Sequence, residues 1–228
     1  MTLGAEPRVV HADSVPEWPA GRRGNVVLQS DSVAELGGPQ AQSVSLLLWT
    51  EAHALVRDAL ITIAGPDLGE NCGAPLPFAR AVILEVEGFD EGNCVQRHKE
   101  LELLRYDLNL DGYMMRTSSQ NRKEWGRVSR RAVEAGFSLA TLGAGLIRLY
   151  RSIPYVCAVE TILVTSSCDA VESLMRIDDT ASRRIHALDK RTTESTCECD
   201  ECDFNDVCDE VGNQRAARNA QRERTTRV

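Results

Sequence analysis

The sequence predicts an α+β fold in which one mixed sheet packs against several helices. Three strongly apolar segments of strand length, residues 43–50, 81–87 and 156–165, predict the core of the sheet. Helical patterns separate the second segment from the third, and another helical pattern follows the third. Because strands and helices do not alternate regularly, we expect a mixed α+β domain rather than a doubly wound parallel one.

Three regions are predicted along the 228 residues. Residues 1–25 contain three prolines and a Gly21–Gly24 turn, and we expect an irregular arm from which Trp18 could pack onto the body. Residues 26–192 form the α+β domain. Residues 193–228 form a cysteine-rich segment and a basic C-terminal helix.

The first half of the domain is predicted to be mostly β structure. Residues 26–28 favour a short strand, residues 32–42 a loop, and residues 43–50 a strand buried on both faces. Residues 55–63 predict a hairpin that turns near Arg57 and Asp58. Pro75 and Pro77 favour a loop over residues 67–77, before the strand at 81–87.

The second half is predicted to be mostly helical. The predicted helices cover residues 90–105, residues 119–135 (capped by Ser118 or Ser119 and ended by Gly136), residues 144–151, and a helix that ends near Lys190. Residues 113–116 predict a short strand or turn. Ser166 and Asp169 have the spacing of a capping box for the helix that ends near Lys190. Residues 204–224 predict a final basic helix.

Positive charge is concentrated around the predicted helix over residues 119–135, although the chain has a net charge of -8. Six cationic side chains lie within sixteen residues: Arg116, Arg122, Lys123, Arg127, Arg130 and Arg131. They could form a solvated helix face. They could also form an anion site for the phosphates of a nucleotide-containing ligand such as coenzyme A.

Four cysteines near the C-terminus, Cys197, Cys199, Cys202 and Cys208, lie within twelve positions. Four thiolates in so short a segment can enclose one metal ion or one iron–sulfur cluster, and we favour such a site over structural thiols or disulfides. The surrounding carboxylates suit either a low-potential cluster or a redox-silent zinc ion. Cys94 and His98 are four residues apart on a predicted helix, and we expect them to be buried and unrelated rather than metal ligands.

Composition excludes several classes of function. The net negative charge argues against nucleic acid as a partner. No apolar run approaches the roughly 20 residues of a membrane helix, and the N-terminus has no basic-then-apolar export signal. Scattered cysteines beside one dense cluster are typical of a reducing cytoplasm, where we expect the chain to act. No Ser/His/Asp set or paired acid–base constellation indicates a stand-alone hydrolase.

Four segments occur in the same order in one known family: Leu28–Asp31, Ser43–Trp49, Gly65-Pro-Asp-Leu68 and, above all, Glu124-Trp-Gly-Arg-Val-Ser-Arg-Arg-Ala-Val-Glu-Ala-Gly-Phe-Ser-Leu-Ala-Thr-Leu-Gly143. They are similar to the middle region of the β subunit of the carbon monoxide dehydrogenase/acetyl-CoA synthase complex, over residues 26–180. The resemblance implies a subunit of one-carbon metabolism that belongs to an acyltransferase complex. It also implies partner subunits and a corrinoid protein as partners.

The resemblance implies cofactors as well. Acetyl-CoA synthase joins a methyl group, carbon monoxide and coenzyme A at a nickel site bridged to a four-iron cluster. Its Cys-Gly-Cys nickel clamp does not occur in this sequence, where Cys72-Gly73-Ala74 lacks the second thiol, so no nickel ligands are assigned. The cysteine run favours a 4Fe–4S cluster, with zinc as the alternative. The family's middle region handles coenzyme A, and its candidate ligands here are Arg116, Arg122, Trp125, Arg127, Arg130 and Arg131.

Two hypotheses follow. In the first, the chain is an acetyl-CoA-synthase-like subunit with a cysteine-ligated cluster and a face that binds coenzyme A or a partner protein. In the second, it is a non-catalytic accessory module in which zinc or a cluster holds the C-terminal helix.

Overall fold

The structure is a computed structural model that describes residues 6–21, 26–38, 41–69, 75–118, 123–166 and 168–196. Within them lie eight strands: β1 Arg8–His11, β2 Ser32–Gly37, β3 Ser43–Thr50, β4 Leu60–Ala64, β5 Phe78–Val86, β6 Tyr113–Ser118, β7 Lys123–Ser129 and β8 Val156–Val164. The helices are α1 Cys94–Leu104, α2 Arg130–Glu134, α3 Leu139–Arg151 and α4 Cys168–Thr196. The mixed α+β class is therefore confirmed.

A five-stranded mixed sheet forms the centre of the fold, in the order β1-β4-β8-β5-β3. Two of its pairs are parallel, β4 with β8 and β3 with β5, and the other two are antiparallel. Both faces are covered. Gly143 of α3 lies against Ile61 on one face, and Val171 of α4 packs in a cluster with Val44, Ala79 and Val164 on the other. Burial on both faces explains why β3, β5 and β8 are almost continuously apolar.

A second sheet of three antiparallel strands, in the order β2-β7-β6, packs beside the first. A fully buried ion pair joins the two sheets. Arg80 on β5 lies with an Nη 2.7 Å from a carboxylate oxygen of Glu124 on β7, and the same guanidinium donates to Ser45 Oγ on β3 at 2.7 Å. Such a pair gives the interface geometric specificity more than net stability, because both ions lose their hydration.

Two buried tyrosines complete this polar interior. Burial raises the pKa of Tyr113, and the nearby charge of Glu124 adds to the effect. Burial raises the pKa of Tyr150 to about 12, and its hydroxyl donates to the Leu101 carbonyl at 3.2 Å. Both phenols therefore stay neutral at physiological pH and act as hydrogen-bonding groups.

The prediction of a helix over residues 119–135 is wrong for most of that range. Residues 123–129 form β7, and only Arg130–Glu134 are helical, capped by the Ser129 hydroxyl, which accepts from Ala132 N. Burial alternates along β7, with Glu124, Gly126 and Val128 buried between less buried neighbours. Lys123, Arg127, Arg130 and Glu134 are three or four residues apart, which is also the spacing of one face of a helix. Over so short a segment, the two-residue period of a strand and the 3.6-residue period of a helix are hard to distinguish.

Four other predictions in the first half of the chain are wrong. Residues 26–28 are not a strand, and the predicted loop over 32–42 begins with β2. The predicted hairpin over 55–63 has only its second arm, which pairs in parallel with β8 and antiparallel with β1. That pairing makes Arg8–His11 an edge strand within the arm predicted to be irregular.

The other strands and helices predicted within the described residues are confirmed. They are the strands at 43–50, 81–87, 113–116 and 156–165 and the helices at 90–105, 144–151 and up to Lys190, with shifts at their ends. The helix α3 begins five residues earlier than predicted, because Ser138 and Thr141 form a capping box.

The chain divides into two units, with the boundary between Ile185 and His186 inside α4. The first unit contains both sheets. Of the second unit, the structure describes the helical residues up to Thr196. Within the described residues, no helix is long and apolar enough to cross a membrane.

Candidate functional site

The hairpin of β6 and β7 brings three of the predicted ligands onto one face of the three-stranded sheet. Arg116 lies directly opposite Trp125, and Trp125 and Arg127 are two residues apart on β7. Side chains alternate between the faces of a strand, so these three point away from the buried Glu124. We call Arg116, Trp125, Arg127 and Glu35, the cross-strand neighbour of Arg127 on β2, the outer face.

Arg127 is held on the outer face by two contacts. Its guanidinium carbon lies 4.2 Å from the centre of the Trp125 ring, and its Nε donates to Glu35 Oε1 at 2.7 Å. The Arg127 side chain is only 15% exposed. Stacking on the ring and a charge-assisted hydrogen bond fix the plane of the guanidinium.

Several donors on the outer face have no acceptor among the described residues. The Nη groups of Arg127 make no hydrogen bond there, and the buried Trp125 Nε1 has no partner there either. Arg116 is exposed and forms no ion pair with those residues. Arginine is a donor only, so Arg116 and the Nη groups of Arg127 are complementary to a ligand rich in acceptor oxygens. The Trp125 Nε1 is buried, so it is not a contact for such a ligand.

Gly38 makes room for the indole ring. Its φ of +106° lies in the region that favours glycine, and a Cβ there would lie 3.0 Å from Trp125 Cδ1. A side chain at position 38 would therefore press on the ring. The backbone after β2 thus contributes to the position of Trp125.

A cleft of about 740 Å³ lies where β7 passes into α2. Arg130 and Arg131 line it, together with the apolar side chains of Trp18, Val27 and Ala132. Within the part of the chain that the structure describes, neither arginine forms an ion pair, although Asp31, Asp111 and Glu134 also line the cleft. It therefore combines an apolar wall with two arginines without an ion-pair partner there and three acidic residues.

Trp18 forms a fixed wall of this cleft. Its Nε1 donates to the Asp111 carbonyl at 2.9 Å, and its ring meets Phe137 edge to face at 5.1 Å. The expected packing of Trp18 onto the body is thus confirmed. Both indoles near the predicted ligands are positioned by specific contacts, which makes them useful reporters of binding.

The six predicted coenzyme A ligands are thus divided between two neighbouring places. Arg116, Trp125 and Arg127 share the outer face, Arg130 and Arg131 line the cleft, and Arg122 lies outside the described residues. Sequence reasoning missed Glu35 and the role of Trp18 in the cleft. Glu35 carries no local signal, since it meets Arg127 only through the pairing of β2 with β7.

The predicted metal ligands Cys197, Cys199, Cys202 and Cys208 lie outside the described residues. Among the residues that are described, no group of three or more His, Cys, Asp or Glu could hold a metal ion. Cys94 is a buried free thiol, and the neighbouring His98 is also buried. The expectation that Cys94 is a buried thiol is confirmed.

Asp67, in the Gly-Pro-Asp-Leu segment, has a structural role. Its Oδ1 accepts hydrogen bonds from the backbone N–H of Leu68 at 2.8 Å and of Leu139 at 2.9 Å, and its other oxygen pairs with Arg8. The carboxylate thus ties the loop after β4 to the beginning of α3 and to the arm. A negative group at the first turn of a helix is favourable.

A family model and two curated proteins that match this chain all carry the name of the same kind of subunit. Residues 18–172, more than half of the chain, match the family described as CO dehydrogenase/acetyl-CoA synthase complex beta subunit. The chain is 28% identical over 176 residues to an acetyl-CoA decarbonylase/synthase complex subunit beta of Methanothermobacter thermautotrophicus, covering 75% of this chain and 35% of that protein.

A subunit of the same name from Methanopyrus kandleri is 26% identical over 147 residues, covering 64% of this chain and 30% of that protein. The chain thus spans about a third of the length of these curated relatives. The match includes the three-stranded sheet, the central sheet except β1, the outer face and the arginines of the cleft. From the order of these segments and the extent of the match, we conclude that the chain belongs to the CO dehydrogenase/acetyl-CoA synthase complex beta subunit family.

Proposed function

We propose that this chain binds coenzyme A for an acetyl-CoA-synthase-like activity of one-carbon metabolism. The observation that carries the proposal is the set of donors without acceptors on the outer face, inside the region that matches the family. Coenzyme A offers phosphates, for which the arginines are complementary donors.

The outer face is suited to phosphate. The free Nη edge of Arg127 can donate to two oxygens of one phosphate, which is the strongest geometry available to arginine. Arg116, directly across the hairpin from Trp125, supplies a second cation. The indole lies beside them and stacks on the Arg127 guanidinium.

The cleft can extend the same site. Arg130 and Arg131 follow β7 directly and offer further contacts to phosphate, while Trp18 and Val27 form an apolar wall. A ligand that carries both phosphates and an uncharged arm is complementary to this combination. We propose that the cleft contributes to ligand binding. We assign no catalytic step to any residue of the cleft or of the outer face.

The cysteine run supplies the second part of the proposal. Cys197, Cys199, Cys202 and Cys208 would hold an iron–sulfur cluster, with 4Fe–4S favoured and zinc as the alternative. A cluster would supply electron transfer, and zinc would supply a structural link. The relatives are named as subunits of a complex, so we also propose partner subunits, and a corrinoid protein among them, for this chain.

A second candidate function is a non-catalytic accessory module. The observation that favours it is the lack of a Cys-Gly-Cys sequence in these 228 residues. In that case the positively charged outer face would dock a partner protein, and the cysteine run would hold a structural zinc ion. Coenzyme A would then not bind.

Calorimetric titration with coenzyme A, dephospho-coenzyme A and pantetheine tests the proposal. We expect coenzyme A to bind and pantetheine, which lacks phosphates, to bind at least tenfold more weakly. Arg127→Gln and the double substitution Arg130→Gln/Arg131→Gln should each weaken binding by about tenfold, since one charge-assisted hydrogen bond contributes about 1.5–3 kcal/mol.

Arg184→Gln, at an exposed position of α4, is the matched control and should leave affinity unchanged. The proposal is wrong if coenzyme A does not bind, or if the control weakens binding as much as Arg127→Gln does. No response to coenzyme A, together with one zinc ion for each chain, would support the accessory module instead.

A further inference from the structure

We propose that Glu35 is an internal counter-charge that weakens the binding of anions at Arg127 and so keeps small inorganic anions off the outer face. This inference rests on the proposed function of that face and adds a residue that its sequence pattern did not indicate. Glu35 accepts from Arg127 Nε at 2.7 Å, and its side chain is 22% exposed. The Glu35 carboxylate therefore lies beside the Arg127 guanidinium that would bind a phosphate.

The contact leaves the hydrogen-bonding capacity of Arg127 largely free while it offsets the charge. Glu35 uses only the Nε donor, so the Nη groups remain available for an incoming oxygen. An anion that binds there gains hydrogen bonds but is repelled by the nearby carboxylate. At a separation of roughly 7 Å this repulsion lowers a binding constant about three- to fifty-fold, for a dielectric between that of water and about 20.

The consequence is a requirement for additional contacts. Inorganic phosphate or sulfate offers only its oxygens and bears the full repulsion. A ligand that also contacts Trp125 or the cleft gains further free energy and can still bind. Glu35 thus weakens both kinds of ligand at Arg127, and only a ligand with these further contacts retains enough affinity to occupy the outer face.

Replacement by glutamine separates this role from a purely structural one. The Gln side chain keeps an oxygen that can accept from Arg127 Nε, but it removes the negative charge. A residue that only held Arg127 in place would leave anion affinity unchanged in Glu35→Gln. A counter-charge predicts that the affinity rises.

The indole N–H signals of the 15N-labelled full chain provide the measurement. Trp18, Trp49 and Trp125 give three signals, which single Trp→Phe substitutions assign. Titration with inorganic phosphate and with coenzyme A should move the Trp125 signal, because the ring stacks on the Arg127 guanidinium that would bind the phosphate. In Glu35→Gln, the dissociation constant for inorganic phosphate should fall at least threefold.

Two further variants complete the test. Glu35→Asp keeps the charge and should keep the weak phosphate binding of the wild type. Asp179→Asn removes an exposed carboxylate of α4, which changes net charge by the same amount, and should have no effect. Unchanged or weaker phosphate binding in Glu35→Gln, or a gain in Glu35→Asp equal to that in Glu35→Gln, overturns the role of Glu35.

The experiments distinguish a failure of the proposed coenzyme A site from a failure of the proposed role of Glu35. If coenzyme A moves the Trp125 signal in the wild type while Glu35→Gln leaves phosphate affinity unchanged, only the inference about Glu35 is wrong. If coenzyme A moves no indole signal in the wild type, and Arg127→Gln changes nothing, the coenzyme A site itself is wrong and the inference falls with it.

Discussion

Asp58 shows how a single carboxylate fixes a loop of this fold. Its Oδ1 accepts from the Val159 N–H at 3.0 Å, and its Oδ2 accepts from Arg151 at the end of α3. Partial burial opposes ionisation of Asp58, but these two hydrogen bonds outweigh it and hold the pKa below its ordinary value of 3.8. The loop before β4 is thereby attached to both β8 and α3.

This depressed pKa makes a prediction about stability and pH. A group with a lowered pKa in the folded state adds stability above its unfolded pKa, and that stability is lost as pH falls through the folded pKa. Asp58→Asn should therefore lower the free energy of unfolding at neutral pH, with a difference from wild type that shrinks below about pH 4. Urea denaturation at a series of pH values measures it.

Asp13→Asn serves as the control for Asp58, because Asp13 contacts the same Arg151 at 3.6 Å from a largely exposed position. Exposed pairs contribute little, so its effect should be well below that of Asp58→Asn. A stability difference for Asp58→Asn that stays constant from about pH 7 to about pH 3 would contradict the assignment.

At the scale of elements, the packing of α3 on the central sheet depends on Gly143. A Cβ there would lie 2.6 Å from Ile61 Cγ2, closer than Cβ atoms approach other atoms in folded proteins, and 3.1 Å from Ile61 Cγ1. Gly143→Ala should lower the free energy of unfolding by about 1–2 kcal/mol, since overpacking outweighs the better helix propensity of alanine. Denaturant titration monitored by circular dichroism tests this.

A double-mutant cycle with Ile61→Ala supplies the check. Ile61→Ala alone leaves a cavity in the core and should cost about 2–5 kcal/mol. In the double variant the new methyl group partly fills that space, so the cost should be smaller than the sum of the two. Additive costs would show that Gly143 and Ile61 do not press on each other.

The ion pair between Arg80 and Glu124 makes a second prediction at this scale. Both side chains are almost fully buried, at 2% and 0% exposed. Glu124→Gln would leave the Arg80 charge without its partner and should cost about 3–5 kcal/mol, measured by urea denaturation. Because Trp125 follows Glu124 on β7, the same variant should also broaden the Trp125 indole signal.

Arg80→Met/Glu124→Leu is the matched control, since it removes both charges and keeps much of the volume. Its cost should be smaller than that of Glu124→Gln alone, because no unpaired charge remains buried. If the single variant proves as stable as wild type, the pair has no structural role between the two sheets.

The burial of each strand explains whether the sequence could predict it. β3, β5 and β8 lie within the central sheet and are covered on both faces, so their apolar runs indicated strands directly. β7 carries charged residues on both faces, because Glu124 is buried against Arg80 and Arg127 is paired with Glu35. No pattern of apolar residues could mark such a strand.

The candidate site was accessible to sequence reasoning only in part. The arginines and Trp125 were identified from their density in an acidic chain, without correct secondary structure. Their division between the outer face and the cleft depends on the register of β7 with β2 and β6, which is a property of distant residues. Glu35 belongs to the site for the same reason and could not be found locally.

At the scale of the whole molecule, the two sheets of the described residues differ in what they contribute. The central sheet provides the core, with helices on both faces. The smaller sheet carries the outer face, and the cleft lies at the end of its middle strand. A ligand site on a small sheet, tied to the main one by a buried ion pair, rests on a rigid support.

The last prediction concerns the cysteine run, which begins directly after α4 ends at Thr196. Anaerobic purification should yield about four iron and four sulfide ions per chain for one 4Fe–4S cluster, or about one zinc ion for the alternative. Cys202→Ala should lose that metal, because each site needs four ligands. Cys157→Ser, at an exposed free thiol of β8, should retain it. Full metal content in Cys202→Ala, or disulfides among the four cysteines, would show that their sulfurs do not share one centre.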